Sequence, residues 1–150
     1  MEPSREEEAE KLFGRARDAL AAGEIPSALT LLERALKLND NRSWYSYLGY
    51  CMAKERGQVK KGIELCTLSL ELEPEQADHY LYLAKIHLLA GNKQQTLHVL
   101  RDGMVHGENQ GLIALLDAIG TRKPPVVSFL SRSNPVNRVL GLLLDRLRLR

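Results

Sequence analysis

Residues 23–40 read GEIPSALTLLERALKLND, and two later stretches follow the same plan: GQVKKGIELCTLSLELEP at 57–74 and GNKQQTLHVLRDGMVHGE at 91–108. Each opens on a glycine, at Gly23, Gly57 and Gly91, spaced 34 residues apart. Five positions on stands a small residue or threonine: Ala28, Gly62, Thr96. Four further comes Leu32, Cys66 or Leu100, and three beyond that Ala35, Ser69 or Gly103. Positions i, i+4 and i+7 share one face of a helix, and small side chains there let a second helix approach closely. Glycine permits the tight turn that reverses the chain between paired helices. An all-α fold built from an internal repeat is expected.

Upstream of each glycine lies a partner helix: AEKLFGRARDALAA at 9–22, WYSYLGYCMAKER at 44–56 and DHYLYLAKIHLLA at 78–90. Each carries a large residue followed by a small one in register, at Arg15-Ala16, Leu48-Gly49 and Leu83-Ala84. The punctuation agrees. Ser4 followed by Glu7 is a capping-box signal, and Pro26 suits a first helical turn. Residues 108–119 read as a further, capping helix that Gly120 stops, before Pro124-Pro125 enforces an extended path.

This unit resembles the tetratricopeptide repeat, small bacterial type. The third unit, 77–110, matches that family's pattern without gaps through Tyr80, Leu83, Ala84, Gly91, Thr96, Leu100 and Gly103. The second, 42–76, matches through Tyr45, Leu48, Gly49, Gly62, Cys66, Ser69 and Pro74, with one extra residue near Glu55-Arg56. The first, 9–42, keeps Leu12, Ala16, Gly23, Ala28, Leu32 and Ala35, with Asp40 in place of the closing proline. The resemblance implies a short right-handed solenoid over residues 1–121 whose concave face is made by the first helix of each pair.

It further implies a protein-binding scaffold, an adaptor or chaperone-like module that holds a peptide or helix in that groove. On the family's pattern the groove residues are Phe13, Arg17 and Leu20, then Tyr47, Tyr50 and Lys54, then Leu81, Tyr82, Lys85 and Leu89. Tyr45 and Tyr80 fall on the family's packing position, which leaves Tyr47, Tyr50 and Tyr82 as the contact tyrosines. Some family members grip a chaperone's C-terminal carboxylate with Lys, Asn, Asn, Lys and Arg. The matching positions here are Glu10, Gly14, Tyr47, Asp78 and Tyr82, so that activity is not expected.

Catalytic signatures are missing. The four histidines, His79, His87, His98 and His106, form no H-E-x-x-H, and neither paired Cys-x-x-Cys, a phosphate-cradling loop nor Gly-x-Ser-x-Gly is present. No enzyme activity, cofactor or metal is expected, and His87 is read as a packing residue. Cys51 and Cys66 both sit in helical patterns, which suits buried free thiols in a reducing cytoplasm. The acidic start MEPSREEEAE has no signal-peptide character, and no apolar run approaches the roughly 20 residues of a membrane span.

The charge is uneven. Residues 122–150 hold seven Lys/Arg and one Asp, giving +6, against −4 for the rest. This last segment begins RKPPVVSFLSRSNPVNRVLG and is similar to an ending of small bacterial repeat proteins of unassigned role. It reads as an arm, extended over 123–131 with Val126, Val127, Phe129 and Leu130 as apolar anchors. Asn134 and Pro135 then signal a helix start, and the helix at 135–149 is amphipathic. Its stripe holds Val139, Leu140, Leu143, Leu144 and Leu147, with arginines late in the helix. Burying such a stripe is worth on the order of 10 kcal/mol before entropy costs, so it calls for a surface to cover. That surface is expected to be protein, in the same chain or in a homodimer; an anionic membrane is the lesser alternative, and nucleic acid is not expected. If the arm is the main functional element, the protein is instead a structural assembly subunit that homo-oligomerises through it. An ordered arm predicts slow amide hydrogen exchange at residues 136–147 in the isolated protein. Fast exchange there at every protein concentration overturns it.

Overall fold

The computed structural model describes residues 2–120. Among these the chain is all-α: α1 (Arg5–Ala21), α2 (Ile25–Leu38), α3 (Tyr45–Arg56), α4 (Val59–Leu72), α5 (Ala77–Leu89), α6 (Lys93–Met104) and α7 (Gln110–Ile119), with no strand. None of these helices is long and apolar enough to cross a membrane. The helices fall into two units, one ending at Gly107 and one beginning at Glu108. The composition shift in the sequence comes later, at 121–122. The expected arm, with its extended part at 123–131, its helix at 135–149 and its docking residues from Val126 to Leu147, lies outside the described residues.

Local chemistry accounts for the helix ends. Ser4 Oγ accepts from the Glu7 amide at 3.1 Å while Glu7 Oε2 accepts from the Ser4 amide at 3.1 Å, a complete capping box for α1. Asn92 and Asn109 cap α6 and α7 through their side-chain oxygens, and Pro26 stands in the first turn of α2. At the far end of α1, the Glu24 amide reaches back to the Ala19 carbonyl at 2.8 Å and the Gly23 amide to Leu20 at 3.1 Å. That closure needs a left-handed residue, and Gly23 supplies it with φ of 76°. Gly57 and Gly91 repeat the turn after α3 and α5. The extra residue near Glu55-Arg56 is absorbed by α3, which stays helical up to Arg56 so that Gly57 itself is its C-cap.

Helices in the first unit pack as consecutive pairs: α1 with α2, α3 with α4, α5 with α6. Neighbouring pairs meet where α2 touches α3, α4 touches α5 and α3 touches α5. Within each pair the small residues of the sequence pattern are buried: Ala16 and Ala28, Gly49 and Gly62, Ala84 and Thr96. The middle pair is the tightest. A Cβ on Gly49 would stand 2.7 Å from the Gly62 carbonyl oxygen, and one on Gly62 would stand 2.6 Å from that of Gly49. In the third pair the Thr96 hydroxyl donates to the Asn92 carbonyl at 2.9 Å and lies 3.4 Å from that of Ala84. A turn further along each second helix, Leu32, Cys66 and Leu100 are all fully buried. A short 3-10 turn at Arg42–Trp44, not foreseen from the sequence, leads into α3 and buries Trp44 against Ala9, Leu12 and Ala35.

Backbone contact at the α3–α4 crossing sets up opposite outcomes for two glycines. Gly49→Ala forces the helices apart and is expected to cost about 1–3 kcal/mol, the range for overpacking. Gly14 lies inside α1, and a methyl group added there would meet nothing within 4 Å, so Gly14→Ala is expected to add about 0.5–1 kcal/mol through helix propensity. Urea unfolding of the two variants measures both.

Candidate functional site

The first helices of the three pairs, α1, α3 and α5, carry a connected series of aromatic rings. Trp44 stacks on Phe13 with centroids 4.7 Å apart and planes 11° from parallel. Phe13 meets Tyr47 edge-on at 5.0 Å, Tyr47 meets Tyr82 at 4.9 Å, and Tyr82 meets Tyr50 at 5.4 Å. Offset and edge-on ring pairs of this kind add about 0.5–1.5 kcal/mol each beyond the area they bury. Two cations cover the series: Arg17 lies 5.9 Å from the Phe13 centroid, and Lys85 lies 5.3 Å from Tyr50 and 5.5 Å from Tyr82.

At one end of this series is a cleft of about 310 Å³. It gathers five of the ten residues expected to face a groove: Leu20, Tyr50, Lys54, Tyr82 and Lys85. Ala21 at the end of α1, Gly23 in the turn and Ile25 at the start of α2 complete the wall, and no acidic residue lines it among the described residues. Those three residues were not foreseen, because the repeat pattern places the groove contacts on other positions of the first helices. Phe13 is half-buried and Arg17 exposed, both continuing the surface beyond the cleft. Leu81 and Leu89 are not among the cleft residues, and Leu89 stays exposed at the end of α5.

The tyrosines divide differently from the family's pattern. Tyr47 was expected on the contact surface; it is buried, with 5% exposure, and its hydroxyl donates to Asp78 at 2.7 Å. Rings on both sides enclose it, so it supports the surface instead of presenting itself there. Tyr45 and Tyr80 are only partly buried, and each hydroxyl ties down a loop, Tyr45 to Asp40 and Tyr80 to the Pro74 carbonyl. Among the described residues the hydroxyls of Tyr50 and Tyr82 have no hydrogen-bond partner, and both rings line the cleft.

A second cluster has the residue types of a hydrolase but not its geometry. Ser46 Oγ lies 2.7 Å from His79 Nδ1, and His79 Nε2 lies 2.8 Å from Glu73 Oε1. A carboxylate only accepts, so the Nε2–H of His79 donates to Glu73. In a hydrolytic triad the serine bonds Nε2 instead, beside a substrate site. Here Ser46 is 0% and His79 1% exposed, so no substrate can reach the hydroxyl. The Ser46 amide also donates to Ser69 Oγ at 3.0 Å, and Ser69 donates to the Arg42 carbonyl at 2.6 Å. The cluster fastens α3, α4 and α5 together with every buried polar side-chain atom satisfied. His87 is half-buried, and desolvation lowers its pKa below the ordinary histidine value. No group of three potential ligands that could hold a metal occurs among the described residues.

No protein-family model matches the chain, and no curated protein matches it significantly.

Burial sets the alkaline behaviour. Desolvation pushes the free Cys51 thiol up to about 12 from 9.0, and raises Cys66, Tyr47 and Tyr82 well above their ordinary values. Asp78 adds to the rise at both tyrosines. These groups ionise in the unfolded chain near 9 and 10 but stay neutral when folded. Their stability is therefore complete below those values and is lost as pH climbs towards the folded ones. Lys85 acts the other way, since desolvation lowers its pKa from 10.5 and rising pH relieves that penalty. Tyr45, Tyr50 and Tyr80 are raised too, so with seven groups against one the urea midpoint is expected to fall steadily between pH 8 and pH 10.5. Unchanged stability over that range contradicts the burial of these groups.

Proposed function

We propose that α1–α6 form a short tetratricopeptide-like solenoid that acts as a protein-interaction module, receiving a peptide or helix of another protein on the face of α1, α3 and α5. Corresponding positions in the three pairs support the repeat: Ala16, Gly49 and Ala84 are alike in burial, as are Leu32, Cys66 and Leu100, and Ala35, Ser69 and Gly103. The observation that carries the binding role is the cleft itself. Its lining includes a leucine, two half-buried tyrosines whose hydroxyls have no partner among the described residues, and two lysines with no counter-charge among them. Rigid aromatic rings with polar tips give large contact area at little entropic cost, which is why they anchor interfaces. Folding alone leaves these side chains half satisfied, and a partner completes them.

Selection of displayed peptides on the full chain tests this reading. Tyr50→Ala is expected to weaken the selected peptides by about 1–3 kcal/mol, and to lower stability by about 1–2 kcal/mol through the lost Tyr82 contact while the chain stays folded. Tyr47→Phe is expected to keep the binding surface while losing about 1 kcal/mol of stability with the Asp78 hydrogen bond. Equal peptide binding by wild type and Tyr50→Ala, measured by titration calorimetry, removes the cleft from the interface.

A further inference from the structure

The same cleft carries information about the chemistry of its occupant. Lys85 is half-buried, and its ammonium is held over two rings instead of against a carboxylate. Among the described residues the ion pairs are Arg56–Glu33, Lys61–Glu64, His79–Glu73 and His98–Asp102, so neither Lys54 nor Lys85 takes part in one. Asp78, the acid that acts on this surface through Tyr47 and Tyr82, is engaged by the Tyr47 hydroxyl. A partly desolvated lysine without a counter-charge is an energetic cost to the fold. Desolvation lowers the pKa of Lys85, as that cost requires. The hydroxyls of Tyr45, Tyr47 and Tyr80 are all spent inside the protein; those of Tyr50 and Tyr82, on the cleft wall, are not. Two lysines and two tyrosines thus line one cleft together with the aliphatic side chains of Leu20 and Ile25.

We propose that this cleft recognises the side-chain carboxylate of an aspartate or glutamate within a partner protein's chain, together with an aliphatic side chain next to it. The inference rests on the interaction-module reading above. A carboxylate accepts only, which matches two lysines that can only donate beside two phenols that can donate, and charge-assisted bonds in a partly desolvated cleft are stronger than those in open water. The aliphatic neighbour covers Leu20 and Ile25 and excludes water from the ion pair. The basic segment 122–150 holds one acid, Asp145, among seven cations, and its +6 charge is repelled by the two lysines of the cleft, which favours an acidic sequence of a partner as the occupant. Among the described residues that line the cleft there is no arginine or asparagine, so the two lysines and the two phenols are what meets the carboxylate.

The test uses the full chain and arrays of amidated dodecapeptides that are random except for a central Leu-Glu, Leu-Gln or Leu-Lys. The Leu-Glu set is expected to bind at least tenfold better than the other two, and to lose that advantage as salt rises. Lys54→Glu, at an exposed position that leaves folding intact by circular dichroism, is expected to reduce Leu-Glu binding and raise Leu-Lys binding. Lys85→Met, which keeps the stem over the rings, is expected to abolish the Glu preference, so that the Leu-Glu and Leu-Gln sets bind alike. Equal binding of all three sets, sensitive to Tyr50→Ala, overturns the carboxylate assignment and leaves the interaction module standing. Binding that requires a free peptide C-terminus overturns the internal-side-chain assignment. Binding by none of the sets overturns both readings.

Discussion

The contact between Gly49 and Gly62 is the constraint on which the middle of the molecule depends. Two helix backbones meet there with no room for a methyl group, and the carbonyl of each glycine occupies the space where the other's Cβ would be. Ala16 with Ala28, and Ala84 with Thr96, hold the equivalent places in the flanking pairs. Close approach of this kind fixes how each pair crosses, and so fixes which residues on the first helix are turned towards the neighbouring pair. The tight glycine turn is a consequence, because helices that touch at their small residues leave little distance for a loop to span. Where the crossing is closest, overlying side chains adapt: Ile86 of α5 comes within 3.1 Å of where a Gly62 Cβ would lie, filling the surface that the glycine leaves bare.

Between pairs, the joining material is aromatic and polar instead of small. Phe13, Tyr47 and Tyr82 link α1, α3 and α5 through ring contacts, while Ser46, Ser69, His79 and Glu73 link α3, α4 and α5 through hydrogen bonds. Ring packing tolerates sideways adjustment, whereas a buried hydrogen-bond chain does not, since any slip leaves a donor or acceptor unpaired. One joint therefore combines bulk with an enforced register. Tyr47 belongs to both systems, with its ring between Phe13 and Tyr82 and its hydroxyl on Asp78 of α5. It is a structural keystone at a position where a contact residue was expected, and the division of the five tyrosines follows from that.

The helices were legible in the sequence because their signals are local. Ser4 with Glu7, Pro26, and glycines 34 residues apart each act through the backbone within a turn or two, and the structure places helix ends where they indicate. The buried status of Leu32, Cys66 and Leu100 was also legible, since a helical period and small flanking residues leave only one face to bury. Half of the expected surface, from Leu20 to Lys85, gathers in one cleft for the same reason of period. What escaped depends on partners distant in the chain. The fate of Tyr47 was decided by Phe13 and Asp78, more than thirty residues away on either side. His79 showed no sign of its role, because Glu73 reaches it from a loop and Ser46 from another helix. The contribution of Ile25 to the cleft depends on how the first turn folds back, which no face-counting rule anticipates.

Trp44 is the chain's single tryptophan, 3% exposed and stacked on Phe13 where α1 meets the start of α3. Every photon of intrinsic indole emission from this protein therefore originates at one internal joint, next to the first pair of helices and remote in sequence from α5 and α6. Its spectrum follows the wetting of that joint and is insensitive to fraying at the other end. Circular dichroism, in contrast, weights all helices alike. Comparing the two during unfolding separates opening at the first joint from loss of helix elsewhere, so the position of one indole gives this molecule a built-in local probe of its own cooperativity.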